Sequence, residues 1–162
     1  MKSLIFDAGP VISLATNNLL WILEPLKKEF RGKFFITNAV KQELVDKPLE
    51  TKKFKFEAIQ VEKLIENSVL EIIDNDFISK RTPILLNTAN KIFKANDYYM
   101  RIVHFAEISV IEAAISLNAD AIVIDEKTTR LLIENPKVVS EILRKTLQTS
   151  ISVDESKLKE FS

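Results

Sequence analysis

Two aspartates stand where a parallel sheet would present them to a ligand. Asp7 directly follows the apolar run SLIF, and Asp125 directly follows AIVI. In open parallel sheets, ligands bind beyond the carboxyl ends of the strands, so both acids are expected at one crevice. Capping of the next helix would explain either one alone equally well. Two glutamates extend the set. Glu107 aligns with Ile108, Ile111, Ala114 and Ile115 on a helical projection, while Ser109, Glu112 and Ser116 form a polar stripe nearly opposite. Glu43 falls between Ala39 and Val40 one turn on, rather than beside Lys41 and Val45. Both glutamates are therefore expected to point inward. A lone buried carboxylate costs several kcal/mol or takes up a proton, so inward acids call for a cation, a metal or dense hydrogen bonding.

If Asp7, Glu43, Glu107 and Asp125 converge, their all-oxygen donor set selects a hard ion such as Mg²⁺ or Mn²⁺. Such a set suits phosphoryl chemistry. The ion activates a water, shields the phosphodiester charge and steadies the leaving oxygen, and two ions about 4 Å apart or a single one can serve. Glu126 is a further candidate ligand, against the plainer reading of a solvated charge at a helix start.

Four short runs rich in Ile, Val and Phe must position these acids: residues 3–6, 33–36, 69–73 and 121–124. They read as strands separated by amphipathic stretches, which predicts parallel crossovers and a three-layer α/β domain. The first and last are apolar at nearly every position, the pattern of central strands covered on both faces. Thr37 or Asn38 is expected to cap a helix to about Asp46, broken by Lys47-Pro48, and Thr82-Pro83 reads as a cap followed by Pro at the first helical position. Further helices are expected over about 54–67 and 105–117 and on either side of Asn135-Pro136. Residues 150–162 have no assigned structure.

The chain has 162 residues, 46% of them apolar, which suffices for one domain with a buried core. With no cysteine, a disulfide framework or zinc–thiolate site is excluded, and a reducing cytoplasm is the simplest setting. No run reaches the roughly 18 apolar residues of a membrane span, and Asp7 interrupts the N-terminus too early for a signal peptide. Lys plus Arg equals Asp plus Glu at 23 each, so an anionic partner must be met by a local patch or a metal.

The segments FDAGPVISLA, ITNAVKQEL and AEISVIEAAISLNADAIVIDEKTTRLL resemble a PIN domain, and the similarity runs to about Glu134. The resemblance implies a Rossmann-like domain with a central parallel sheet of four or five strands. It also implies an Mg²⁺- or Mn²⁺-dependent endoribonuclease whose acid quartet would be Asp7, Glu43, Glu107 and Asp125. A toxin of a toxin–antitoxin pair, with an antitoxin as partner, or an RNA-processing nuclease would fit, as would a homodimer. The chain departs from the family pattern in several places. Gly9 stands where many members carry Ser or Asn, leaving Ser13 to supply a helper hydroxyl, and Glu107 stands where many have Asp, after Ala106 rather than Gly. Residues 47–103 are long for a compact member and read as a helical insertion that could carry substrate choice. The C-terminal strand of the family is hinted at only by Thr149 to Val153.

Arg130 could reach a scissile phosphate or serve an ion pair. His104, the only histidine, precedes the Glu107 helix and reads chiefly as its start. Lys47, Lys52, Lys53 and Lys55 alternate with Phe54 and Phe56, which suits a single-stranded backbone but more simply begins an amphipathic helix with Phe in the core. Trp21 with Leu19, Leu20 and Leu23 reads as core or dimer surface. A non-catalytic scaffold is one alternative to the nuclease. A haloacid dehalogenase-like phosphatase is another, but it would need an acid where Gly9 stands.

Overall fold

A computed structural model describes residues 2–51 and 53–161; Lys52, part of the basic and aromatic cluster, lies outside the described residues. Its centre is a parallel sheet in the order β3-β2-β1-β6, built from β1 (Ser3–Phe6), β2 (Lys33–Thr37), β3 (Glu71–Ile73) and β6 (Ala121–Val123). Ile5 lies opposite Phe35 on one side and Ile122 on the other. From β1 the chain builds outward through β2 and β3, then returns to lay β6 on the opposite flank of β1. The strand order thus reverses between β1 and β6, and Asp7 and Asp125 follow these two strands. This is the position at which doubly wound sheets open a ligand crevice.

β6 departs from the expected central strand. It forms the edge of the sheet, and Ala121 is exposed. Its continuous apolar run is satisfied on the faces of the sheet rather than by a second neighbouring strand.

The crossovers include α1 (Ala8–Thr16), α2 (Leu23–Phe30), α3 (Asn38–Lys41), α4 (Lys47–Glu50) and α5 (Lys55–Glu66). Thr37 caps α3 as expected, its hydroxyl accepting from the Val40 amide at 3.3 Å. Pro48 does not end this helix. A π-helical turn over Gln42–Asp46 shifts the backbone bonding so that Lys47 N–H reaches the Gln42 carbonyl, and Pro48 falls in the first turn of α4, where no donor is required of it. Likewise α6 (Asp76–Ala89) begins at Asn75, whose side chain accepts from the Ile78 amide at 2.8 Å, and carries Thr82 and Pro83 in its interior. The Thr82 hydroxyl donates to the Ile78 carbonyl at 2.7 Å instead of capping.

The chain end forms β7 (Ile151–Val153), within the stretch Thr149 to Val153 that hints at a strand, and α10 (Glu155–Phe161). β7 does not extend the parallel sheet. It pairs antiparallel with β4 (Phe93–Ala95), which also pairs with β5 (Tyr98–Tyr99), giving a separate three-stranded sheet. Phe93 and Ile92 seed a second apolar core with Ile108, Leu132 and Val139, beside the main core around Ile5, Val11, Phe34 and Ile36.

α7 (Phe105–Leu117) lies between the two cores, with Ala106, Val110 and Ala113 in one and Ile108 and Ile111 in the other. Two of the three residues of its polar stripe are therefore not solvated, while Ser116 is exposed. Ser109 is buried against the Thr37 hydroxyl at 2.7 Å, and Glu112 is fully buried, 3.1 Å from Arg81 Nε. Beyond α7 and β6, α8 (Lys127–Glu134) and α9 (Pro136–Leu147) flank Asn135-Pro136 as expected. Among the described residues no helix is long and apolar enough to cross a membrane.

Candidate active site

Asp7 leaves β1 as a buried residue, 5% exposed, its backbone amide continuing the β1–β6 ladder to the Val123 carbonyl at 3.0 Å. It occupies the cap position of α1, yet its side chain makes no capping hydrogen bond. Burial is the main cause that raises its pKa above the ordinary 3.8. The Ala8 and Gly9 amides oppose that shift, and the negative charges of Glu107 and Asp125 reinforce it. Asp7 is thus within electrostatic reach of two further carboxylates, each from a different element. Among the described residues none of the three is ion-paired to Lys, Arg or His.

Glu107 is held in the first turn of α7. Its Oε2 accepts from the His104 backbone amide and from Thr129 Oγ1, both at 2.9 Å. Thr129 is fully buried in α8, so the helix after Asp125 fixes the acid of the helix before it. His104 starts α7, as expected. Asp125 is exposed, and Ser13 Oγ donates to its Oδ2 at 3.5 Å, the long end of a hydrogen bond.

Gly9 is explained by the same carboxylate. A Cβ at position 9 would lie 2.0 Å from Asp125 Oδ1 and 2.7 Å from its Cγ. The space that a side chain would fill is where Asp125 stands. Spacing alone gave no sign of this, nor of Thr129, although Thr129 lies one helical turn beyond Asp125.

Glu126 caps α8, its side chain accepting from the Thr129 amide at 2.5 Å. Partial burial would raise its pKa, but the Thr129 and Thr128 hydrogen bonds outweigh that and lower it. The carboxylate is partly buried and caps the helix rather than standing as a solvated charge.

Glu43 is placed differently from the other three acids. Its side chain is 39% exposed and 3.9 Å from Lys47 Nζ, and it lines an apolar cavity of about 130 Å³ with Ile12, Ala15, Thr16, Leu44 and Phe54. Among the described residues no three His, Asp or Glu side chains stand close enough to hold one ion between them.

Arg130 is exposed, 3.8 Å from Glu134, and lines a larger cavity of about 830 Å³ beside the free edge of β6. Phe54 and Phe56 are 60% and 66% exposed, which overturns their expected place in the core. Phe54 has a left-handed backbone, φ 60°, at the entry to α5, so the alternation KFKF does not yet follow a helical face there. Leu20 and Leu23 are core residues, whereas Leu19 and Trp21 are exposed.

No curated protein and no solved structure matches the chain. A family profile described as a PIN domain matches residues 3–141, which takes in β1, the acids, α8 and the first half of α9. PIN domains are generally nucleases, and the strand-end acids at the reversal of the sheet suit such chemistry. The chain belongs to the PIN-domain family.

Proposed function

We propose that this protein is an endoribonuclease that hydrolyses RNA phosphodiester bonds with Mg²⁺ or Mn²⁺ at Asp7, Glu107 and Asp125, with Glu43 at the margin of the site. The observation that carries the reading is the buried Asp7, raised in pKa by its burial and by two neighbouring carboxylates. No protein cation offsets the three among the described residues, and an all-oxygen acidic set of this kind is chemically suited to a hard divalent ion.

Bound there, the ion would supply Lewis-acid activation of water and charge shielding for the phosphodiester. The chain supplies the rest. Asp7 presents a carboxylate from the end of β1, where burial and two neighbouring acids make its charged form costly without a cation. Thr129 and the His104 amide orient Glu107, and Ser13 donates to Asp125. Gly9 keeps the approach to Asp125 free of a side chain. That same packing opposes a phosphatase reading, because an acid at position 9 would occupy the volume of the Asp125 carboxylate.

The test is incubation of the protein with structured and unstructured RNA in Mn²⁺, Mg²⁺ or EDTA, beside Asp7→Asn and Asp125→Asn. Cleavage by wild type alone, and only with metal, is expected. Equal cutting by both variants, or cutting in EDTA, overturns the mechanism. Binding of RNA without any cutting would leave a scaffold.

A further inference from the structure

The β4–β5 hairpin carries two aromatic rings with no role in either core. Tyr98 is 81% exposed and Tyr99 48%, and among the described residues neither hydroxyl makes a hydrogen bond. Lys94 lies opposite Tyr99 in the hairpin register and places Nζ over its ring, 4.5 Å from the centroid. Lys91 precedes the hairpin and Arg101 follows it, and among the described residues no carboxylate pairs with either one or with Lys94. Asp97 at the turn is the acid between the strands. Exposed rings set among uncompensated cations are the combination on which unpaired bases stack while the backbone is neutralised.

The hairpin is also tied to the acidic site. Tyr99 is five residues from His104, whose amide holds Glu107, so the intervening chain spans at most about 18 Å. That connection is clamped. Asn90 Oδ1 accepts from the Ile102 and Val103 amides at 2.8 and 3.2 Å, and Asn90 Nδ2 donates to the Val103 carbonyl at 3.1 Å. On the other side, β4 is held by β7. The rings therefore stand on a fixed element a few nucleotides from Glu107.

We infer that this hairpin is a stacking platform for single-stranded nucleic acid, with Tyr98 and Tyr99 as its rings and Lys91, Lys94 and Arg101 as its phosphate contacts. The inference rests on the nuclease reading for the direction in which the strand runs, toward Glu107.

Binding of a labelled single-stranded oligoribonucleotide and of its duplex, followed by fluorescence anisotropy in EDTA, tests it independently of cleavage. The unsubstituted protein should bind the single strand more tightly than the duplex. Tyr98→Ser with Tyr99→Ser should weaken single-strand binding by about tenfold or more, and Tyr98→Phe with Tyr99→Phe should retain it. All variants should melt as wild type does, since the rings are exposed. Unchanged affinity in the Ser variant overturns the platform, as does equal loss in the Phe variant. A shift from dimer to monomer in the Ser variant with RNA affinity unchanged would reassign the face to protein association. Cleavage assayed in parallel keeps the two readings apart. Cutting that ignores the tyrosines removes the platform alone, binding through them without cutting removes the nuclease alone, and neither binding nor cutting removes both.

Discussion

At Gly9 a missing side chain determines where another residue's carboxylate can stand. Alanine there would put a Cβ 2.0 Å from Asp125 Oδ1, so the carboxylate must rotate away. Gly9 lies inside α1 without a positive φ, so the helix itself favours Ala, by up to about 1 kcal/mol. Gly9→Ala should therefore lose most RNA cleavage while melting no lower than wild type; a variant that cuts normally would show that the position of Asp125 is not critical. Asp7 gives the complementary case. Because its pKa is raised, the folded protein binds the Asp7 proton more tightly than the unfolded chain does. That contribution to stability is complete below the ordinary value of 3.8 and is lost as pH rises through the higher folded value. Asp7→Asn removes the cost of a buried charge at neutral pH, and in EDTA it should raise the melting temperature by about 2–4 °C if roughly 1 kcal/mol is recovered. The same variant should lose any stabilisation by Mg²⁺ or Mn²⁺, which in the wild type should grow with pH as the proton leaves. A melting temperature that falls in EDTA would contradict the account of Asp7.

At the scale of elements, α7 shows both what the sequence reveals and what it hides. Its limits, Phe105 to Leu117, are legible because apolar residues fill it and Asn118 ends it in a left-handed conformation. Glu107, expected to point inward, is only partly buried at the helix start, and the opposite polar stripe misleads further. A projection assumes one core and one solvated face, whereas α7 has a core on each side. Glu112 is then buried and depends on Arg81, which is itself half exposed and packs 5.1 Å from the Phe77 ring. Removing Arg81 leaves the charge without its partner, and Arg81→Met should destabilise the fold by about 3 kcal/mol. Adding Glu112→Leu should restore much of the loss, as measured by urea unfolding; a double variant no better than the single one would show that Arg81 matters through its packing instead. Pro48 and Pro83 also depart from their expected places. Local rules place Pro at helix boundaries, but a π turn carries the chain into the helix that holds Pro48, and the exposed Pro83 sits inside α6. Of the second sheet only β7 is hinted at in the sequence; β4 and β5 are three and two residues long, too short for alternation to register.

Across the whole molecule the balance of 23 basic and 23 acidic residues leaves no general field to draw in RNA. The acidic site repels it further. Association must therefore depend on local cations, and the β4–β5 hairpin offers Lys91, Lys94 and Arg101 while the larger surface contributes little net attraction. For single strands each neutralised phosphate contributes about 0.7 to the slope of log affinity against log salt, so three contacts predict a slope of roughly −2. This is shallow compared with a protein that binds nucleic acid through an extended basic face. Replacing Lys94 and Arg101 with Ala should bring the slope to roughly −0.7, since one contact then remains. Stacking on Tyr98 and Tyr99 has no such salt dependence, so the Ser variants should weaken binding while leaving the slope as it was. Titrations of a single-stranded oligonucleotide at several salt concentrations separate the two contributions. A steep slope that survives removal of both cations would place the phosphate contacts elsewhere on the molecule, with the exposed Lys53 and Lys55 beside Phe54 and Phe56 as the next surface to examine.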